Sequence, residues 1–145
     1  MPAVLPEWPA GTVTILATAG AMPHAIPVSA AVRAGPNRVL IGLASGRESL
    51  ARLRADPAVA LAIVARGTAV TAHGRARVIA EQLVGGVAAV AVDVEQVQDH
   101  GRSTFEIESA VSWRWTDAQA AARDAEVRAA LERLAGADTG PAPAP

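Results

Sequence analysis

The sequence predicts a small, mainly β protein: an antiparallel barrel with one short embedded helix and a helix at its C-terminal end. Three observations predict it. Six or seven short runs of alternating or continuous apolar residues fill positions 12–115. A single stretch of helical period, 45–56, interrupts them. A sustained helical stripe appears only after Trp115.

The elements follow in order. Residues 1–11 form an N-terminal lead-in, where Pro2, Pro6 and Pro9 exclude a long helix and leave room for one turn at most. In TVTILAT, Val13, Ile15 and Ala17 alternate with threonines, and the Gly/Pro-containing stretch 19–23 then turns the chain. IPVSAAVR reads as one strand, with Ile26, Val28, Ala30 and Val32 on one face and Ser29 and Arg33 on the other. Gly-Pro-Asn at 35–37 turns into RVLIGLA, a nearly continuous apolar strand. Ser45 and Glu48 have capping-box spacing, Leu50 and Leu53 have helical spacing, and Asp56-Pro57 ends the helix. VALAIV (59–64) is a buried strand. In the next run Val70, Ala72, Gly74, Ala76 and Val78 share one face, and Thr71, His73, Arg75 and Arg77 the other. Positions 81–86 read as a loop or helical turn, 87–97 as a strand, and the alternating FEIESAVSWRW (105–115) as another. A second capping box at Thr116 and Gln119 opens a helix over 117–135, with Val127, Leu131 and Leu134 as its apolar stripe. The Pro/Ala/Gly-rich tail 136–145 is predicted to be disordered.

At 145 residues the chain is one domain, spanning 12–135. Alanine occurs 35 times and only four residues are aromatic, so the core is thin and calls for a partner subunit or a bound ligand. All 13 basic residues are Arg, and Cys and Tyr are absent. Lysine Schiff bases, thiolate chemistry, zinc fingers, iron–sulfur clusters and tyrosyl acids are thereby excluded. A net charge of −1 argues against a nucleic-acid binder. With no long apolar run and no basic segment leading into an apolar one at the start, the expectation is a cytoplasmic protein.

Neither a dinucleotide-binding fingerprint nor a P-loop is present. His24, His73 and His100 are far apart in sequence, so a metal site would need them to converge in space. The stretch Ser45-Gly46-Arg47-Glu48-Ser49-Leu50 has two readings. The start of a helix attracts phosphate, Gly46 lets an anion approach the backbone, and Arg47 can grip phosphate oxygens in a bidentate manner. The other reading is a well-capped short helix with Arg47 in solvent. Trp113 and Trp115 on one strand face serve as core or interface anchors, or as a platform for a flat ring.

The order of these features resembles the pyridoxamine 5′-phosphate oxidase-like, flavin-binding split-barrel family. The residues that carry the resemblance are TILATAG, Pro23 to Ser29, RVLIGLA, the pattern Ser45-x-Arg47-x-Ser49-Leu50, LRADPAVAL at 53–61 and HGRARV at 73–78. It covers about residues 5–115. The resemblance implies a six-stranded antiparallel split β-barrel of Greek-key type, forming a homodimer with FMN at the interface; some relatives carry a deazaflavin coenzyme or haem instead. It implies that Arg47 holds the cofactor phosphate, with Ser45, Ser49 and Leu50 in the same motif. Pro27, Val28 and Ser29 would border the isoalloxazine, and Arg75 or Trp113 would come from the second subunit. The implied activity is hydride transfer between bound flavin and a small substrate; the alternatives are a deazaflavin-dependent reductase or a non-enzymatic flavin- or haem-binding dimer. Where the true oxidase of that family ends in an Arg-containing segment that grips a substrate phosphate, this sequence has an Ala-rich helix and a Pro/Ala tail that do not match it, so the resemblance indicates a cofactor class and no particular substrate.

Overall fold

The computed structural model describes residues 4–138. In chain order the elements are β1 (Thr14–Thr18), β2 (His24–Val28), β3 (Ala31–Arg33), β4 (Arg38–Ala44), α1 (Glu48–Ala55), β5 (Ala58–Ala65), β6 (Thr68–Val84), β7 (Val87–Asp99) and α2 (Ala118–Asp138). The strands form one antiparallel sheet of seven in the order β2-β1-β5-β6-β7-β4-β3. The stretch read as a single strand over 26–33 is therefore two. β2 and β3 occupy opposite ends of the sheet, although only Ser29 and Ala30 separate them in the chain. The sheet must curl until its two ends meet at that corner, where the Gly42 N–H donates to the Ala30 carbonyl at 3.1 Å. The result is a half-barrel with a seam, with seven strands rather than the six expected.

β6 and β7 form the longest hairpin, and residues 81–84 belong to it rather than to a loop or helical turn. β7 offers ladder partners there (Ala80 opposite Ala89, Val84 opposite Val87), and the turn falls on Gly85 and Gly86 instead. A bulge at His73/Gly74 brings the two backbones so close that a Cβ on Gly74 would lie 2.1 Å from the Asp93 carbonyl oxygen. The alternation read for β6 is otherwise kept: Val70, Ala72 and Ala76 are buried.

β1 faces the opposite way from its apolar pattern. Thr14, Leu16 and Thr18 are buried, whereas Ile15 is 40% exposed. The inward threonines reach backbone acceptors, Thr14 Oγ1 the Val28 carbonyl at 3.4 Å and Thr18 Oγ1 the His24 carbonyl at 3.5 Å. A β-branched side chain with a satisfied hydroxyl fits the core almost as valine does. The outer face is left apolar: Ile15 pairs with Pro27 on one side and Ala62 on the other, and Ala17 with Ala25 and Ala60.

Inside the barrel, Leu16, Val39, Ile41, Leu61, Ile63, Val90 and Val92 form the main core, which Leu5 plugs and Leu50 and Leu53 of α1 cover. The other face of β4 and β7 packs on α2 through Leu40, Ala89 and Ala91 against Val127, Leu131 and Ala135, and the predicted stripe member Leu134 packs beside them. The approach is close enough that a Cβ on Gly42 would come within 2.7 Å of Val127.

Both capping boxes are replaced. At α1 the N-cap is Arg47, without a side-chain cap bond, because Glu48 turns to Arg52 (2.8 Å) and His24 (3.4 Å). At α2 the Gln119 N–H bonds to Asp117 Oδ1 at 2.8 Å. α2 covers Ala118–Asp138, not 117–135, so the first three residues of the predicted tail are helical and 139–145 lie outside the described residues. The lead-in residues 4–11 have no helical turn; Trp8 Nε1–H bonds to the Ala31 carbonyl at 3.2 Å.

The segment 105–115 is not a strand of the sheet. Two backbone bonds tie it to the barrel, from Gly67 N–H to the Ile107 carbonyl and from Val13 N–H to the Val111 carbonyl, and no strand of the described chain offers it a continuous ladder. No helix of the described residues is long and apolar enough to cross a membrane.

Candidate functional site

The seam between β2 and β4 opens into a cavity of about 540 Å³. Its floor is backbone and apolar side chain: Ile26, Pro27 and Val28 of β2 face Gly42, Leu43 and Ala44 of β4. Ser29 sits at the corner that joins the two sheet ends. Arg47 enters from the start of α1, and Trp113, Arg114, Trp115 and Thr116 close the remaining side. The two indoles meet edge to face, with centroids 5.6 Å apart at 69°.

Two features give the cavity its electrostatic character. Arg47 and Arg114 both line it, and no carboxylate does. Among the described residues neither guanidinium has a hydrogen-bond or ion-pair partner, whereas Arg38 and Arg77 grip Asp93, Arg54 grips Glu81 and Arg128 pairs with Asp124. No side chain caps the first turn of α1 beside Arg47; the Leu50 N–H bonds back to the Arg47 carbonyl, and the remaining first-turn N–H groups add to the positive field, which the Glu48 carboxylate of the same turn offsets in part. The site therefore presents cationic donors and two aromatic faces over an apolar floor, a combination that suits a flat ring system with an anionic tail.

The structure brings together five of the nine predicted cofactor residues: Pro27, Val28, Ser29, Arg47 and Trp113. Ser45 is exposed, with its N–H bonded to the Gly86 carbonyl, and does not line the cavity. Ser49 is 1% exposed and its hydroxyl meets His24 Nδ1 at 3.5 Å, so it ties α1 to β2. Leu50 belongs to the core. Arg75 lies away from the cavity, on β6 between Ala58 and Asp93 in register. Ser29 is partly committed, since its hydroxyl donates to Asp124 Oδ1 at 2.7 Å, and Asp124 is also held by Arg128. Sequence reasoning missed Gly42, Leu43 and Ala44, whose strand pattern carries no site signal, and gave Arg114 and Thr116 no part in cofactor binding; Trp115, for which a platform for a flat ring is one of two readings, does line the cavity.

No histidine lines the cavity. His24 is held by Glu48 and Ser49, and His100 meets Thr71 Oγ1 at 2.7 Å. Among the described residues no group of three or more His, Asp or Glu side chains is placed to hold a metal ion.

No family model matches the chain, and no curated protein matches it. Solved structures do. A candidate pyridoxamine 5′-phosphate oxidase from Listeria innocua aligns over 63% of this chain and 90% of its own, at 15% identity and TM-score 0.53. The flavin reductase component of a bacterial two-component tryptophan halogenase aligns over 63% and 81%, at 11% identity and TM-score 0.54. An F420 reductase aligns over 61% and 90%, at 13% identity and TM-score 0.53. A haem-binding protein from Mycobacterium smegmatis aligns over 64% of this chain and 51% of its own, at 19% identity and TM-score 0.52. The curled sheet, its seam and its two helices are thus the split β-barrel of the pyridoxamine 5′-phosphate oxidase-like proteins.

Proposed function

We propose that the chain is a flavin-binding oxidoreductase, with FMN as its cofactor, whose phosphate is held at the start of α1. One observation carries the reading: the seam cavity places two unpartnered guanidiniums, and no carboxylate, beside two indoles and an apolar floor. Arg47 and the first-turn N–H groups of α1 would hold the phosphate, Pro27 and Val28 would border the ring system, and Trp113 or Trp115 would offer it a face. A bound flavin supplies the hydride-transfer chemistry. The chain's part is to bind, orient and exclude water, and the hydrogen-bonding and aromatic side chains of the lining (Arg, Ser, Thr and Trp) match that role.

The apolar outer face made by Ile15, Val64, Ala62, Pro27, Val111 and Trp113 shares Pro27 and Trp113 with the cavity. We propose that a second copy of the chain covers this face, so that the homodimer interface and the cofactor site are continuous. A deazaflavin coenzyme presents a similar tricycle and an anionic tail, and is the alternative for the same cavity. Haem is disfavoured, because no histidine or methionine among the described residues lines the cavity to serve as an axial ligand.

Titrating the purified protein separately with FMN and with the deazaflavin, read by fluorescence, tests the reading. Saturable binding of either, with the characteristic flavin absorption bleached by reductant in the FMN case, supports it. Failure of both to bind overturns it. Binding without turnover on any electron acceptor would leave the non-enzymatic alternative.

A further inference from the structure

A second cavity, of about 610 Å³, lies at the β5–β6 turn and the loop that follows β7, and shares no residue with the seam cavity. Its wall carries Arg66 and Arg102, the hydroxyl of Ser103, the ring of Phe105, and the carboxylates of Asp99 and Glu106. Phe105 is the only phenylalanine of the chain and is 47% exposed. The four charged side chains form no ion pair with one another among the described residues; Arg102 bonds only to the Gly101 carbonyl, and Asp99 only to the Gly101 N–H. Gly67, at φ +73°, makes the exposed β5–β6 turn, a backbone conformation that glycine adopts without strain. The Gly67 N–H in turn donates to the Ile107 carbonyl, which holds the loop against the turn.

We infer that this cavity binds a nucleoside 5′-monophosphate group, independently of the flavin reading. Each part of such a group meets its own chemistry. The base stacks on Phe105, as bases do on exposed aromatic rings. The phosphate takes Arg66, Arg102 and the Ser103 hydroxyl, since guanidinium forks match phosphate oxygens. The ribose hydroxyls donate to Asp99 and Glu106, which have acceptor capacity to spare. Two guanidiniums against two carboxylates leave the lining neutral overall, which favours one phosphate over a triphosphate chain. The group can arrive as a free mononucleotide or as the adenylate half of a dinucleotide coenzyme.

The test is a titration of the full chain, without flavin, with AMP, adenosine, ATP and NADH, followed by ligand-observed NMR. AMP is expected to saturate at about 1 mM or below. Adenosine should bind at least about tenfold more weakly, and ATP no more tightly than AMP. Arg66→Ala and Arg102→Ala should each raise the AMP Kd by about tenfold, and Phe105→Ala by about fivefold or more. All three variants keep the wild-type melting temperature. NADH binding with the same arginine dependence identifies the coenzyme as the source; AMP binding alone identifies the free nucleotide. The inference is overturned by absence of AMP saturation up to about 10 mM, by AMP binding unchanged in the Arg66→Ala/Arg102→Ala double variant, or by ATP binding markedly tighter than AMP.

Discussion

Replacing Arg47 by alanine separates a phosphate site from a merely exposed arginine. The guanidinium has no partner among the described residues, so its loss orphans no buried group and leaves the fold intact. What is lost is its bond to the ligand. A hydrogen bond to a charged group contributes about 1.5–3 kcal/mol, which corresponds to about a 10- to 150-fold change in Kd. Arg47 is exposed to solvent, so the low end applies, and Arg114 retains part of the field: FMN should bind about 10- to 30-fold more weakly. Riboflavin has the same ring and no phosphate, so its affinity should not change. Quenching of flavin fluorescence, measured for both ligands on both proteins, reads the ratio directly. Equal weakening of FMN and riboflavin would mean that Arg47 shapes the cavity rather than holding the anion, and unchanged FMN binding would remove it from the site altogether.

Other expectations follow from the packing and charges. Burial pushes the Asp93 carboxyl up, but hydrogen bonds from Arg77 and then Arg38 outweigh it and hold the value below the usual carboxylate range. A lowered folded-state value means stability that is fully present above the unfolded-state value and is lost as pH falls through the folded one. Urea melts between neutral and acid pH should therefore show a loss on the acid side that Asp93→Asn diminishes. Gly74→Ala sets a methyl group against the Asp93 carbonyl and should cost about 1–3 kcal/mol or more, visible as a melting temperature several degrees lower. Ile15→Arg places a charge in the middle of the apolar outer face. Light scattering should then report a monomer that keeps its circular dichroism spectrum; a dimer unaffected by the change would place the interface elsewhere.

Most strands could be read from the sequence because one face of each is buried, and that constraint writes itself into a two-residue period. The stripe Val127, Leu131 and Leu134 was equally plain, since α2 has one face to cover. β1 was legible as a strand but not in its facing: threonine can go inward when a carbonyl waits for its hydroxyl, as Val28 does for Thr14, and alternation alone does not say which set does so. The period in 105–115 describes a chain able to pair, but whether a neighbour is there to pair with is decided by the rest of the fold. The candidate site divides in the same way. Arg47 stood out because it precedes a local helix. Gly42 and Ala44 did not, because their part in the cavity arises only when the sheet curls and its far ends come together.

The corner at Ser29 and Ala30 would tie the affinity of the proposed cofactor to the mechanics of the sheet. β2 and β3 hang from this hinge, β4 is paired to β3, and the cavity lies between β2 and β4 as between the jaws of a clip. A molecule wedged there would staple together parts of the sheet that share no continuous ladder, so its binding free energy would act directly against unzipping of the barrel. Loss of the molecule should loosen the clip first, well before α2 or the long β6–β7 hairpin lets go.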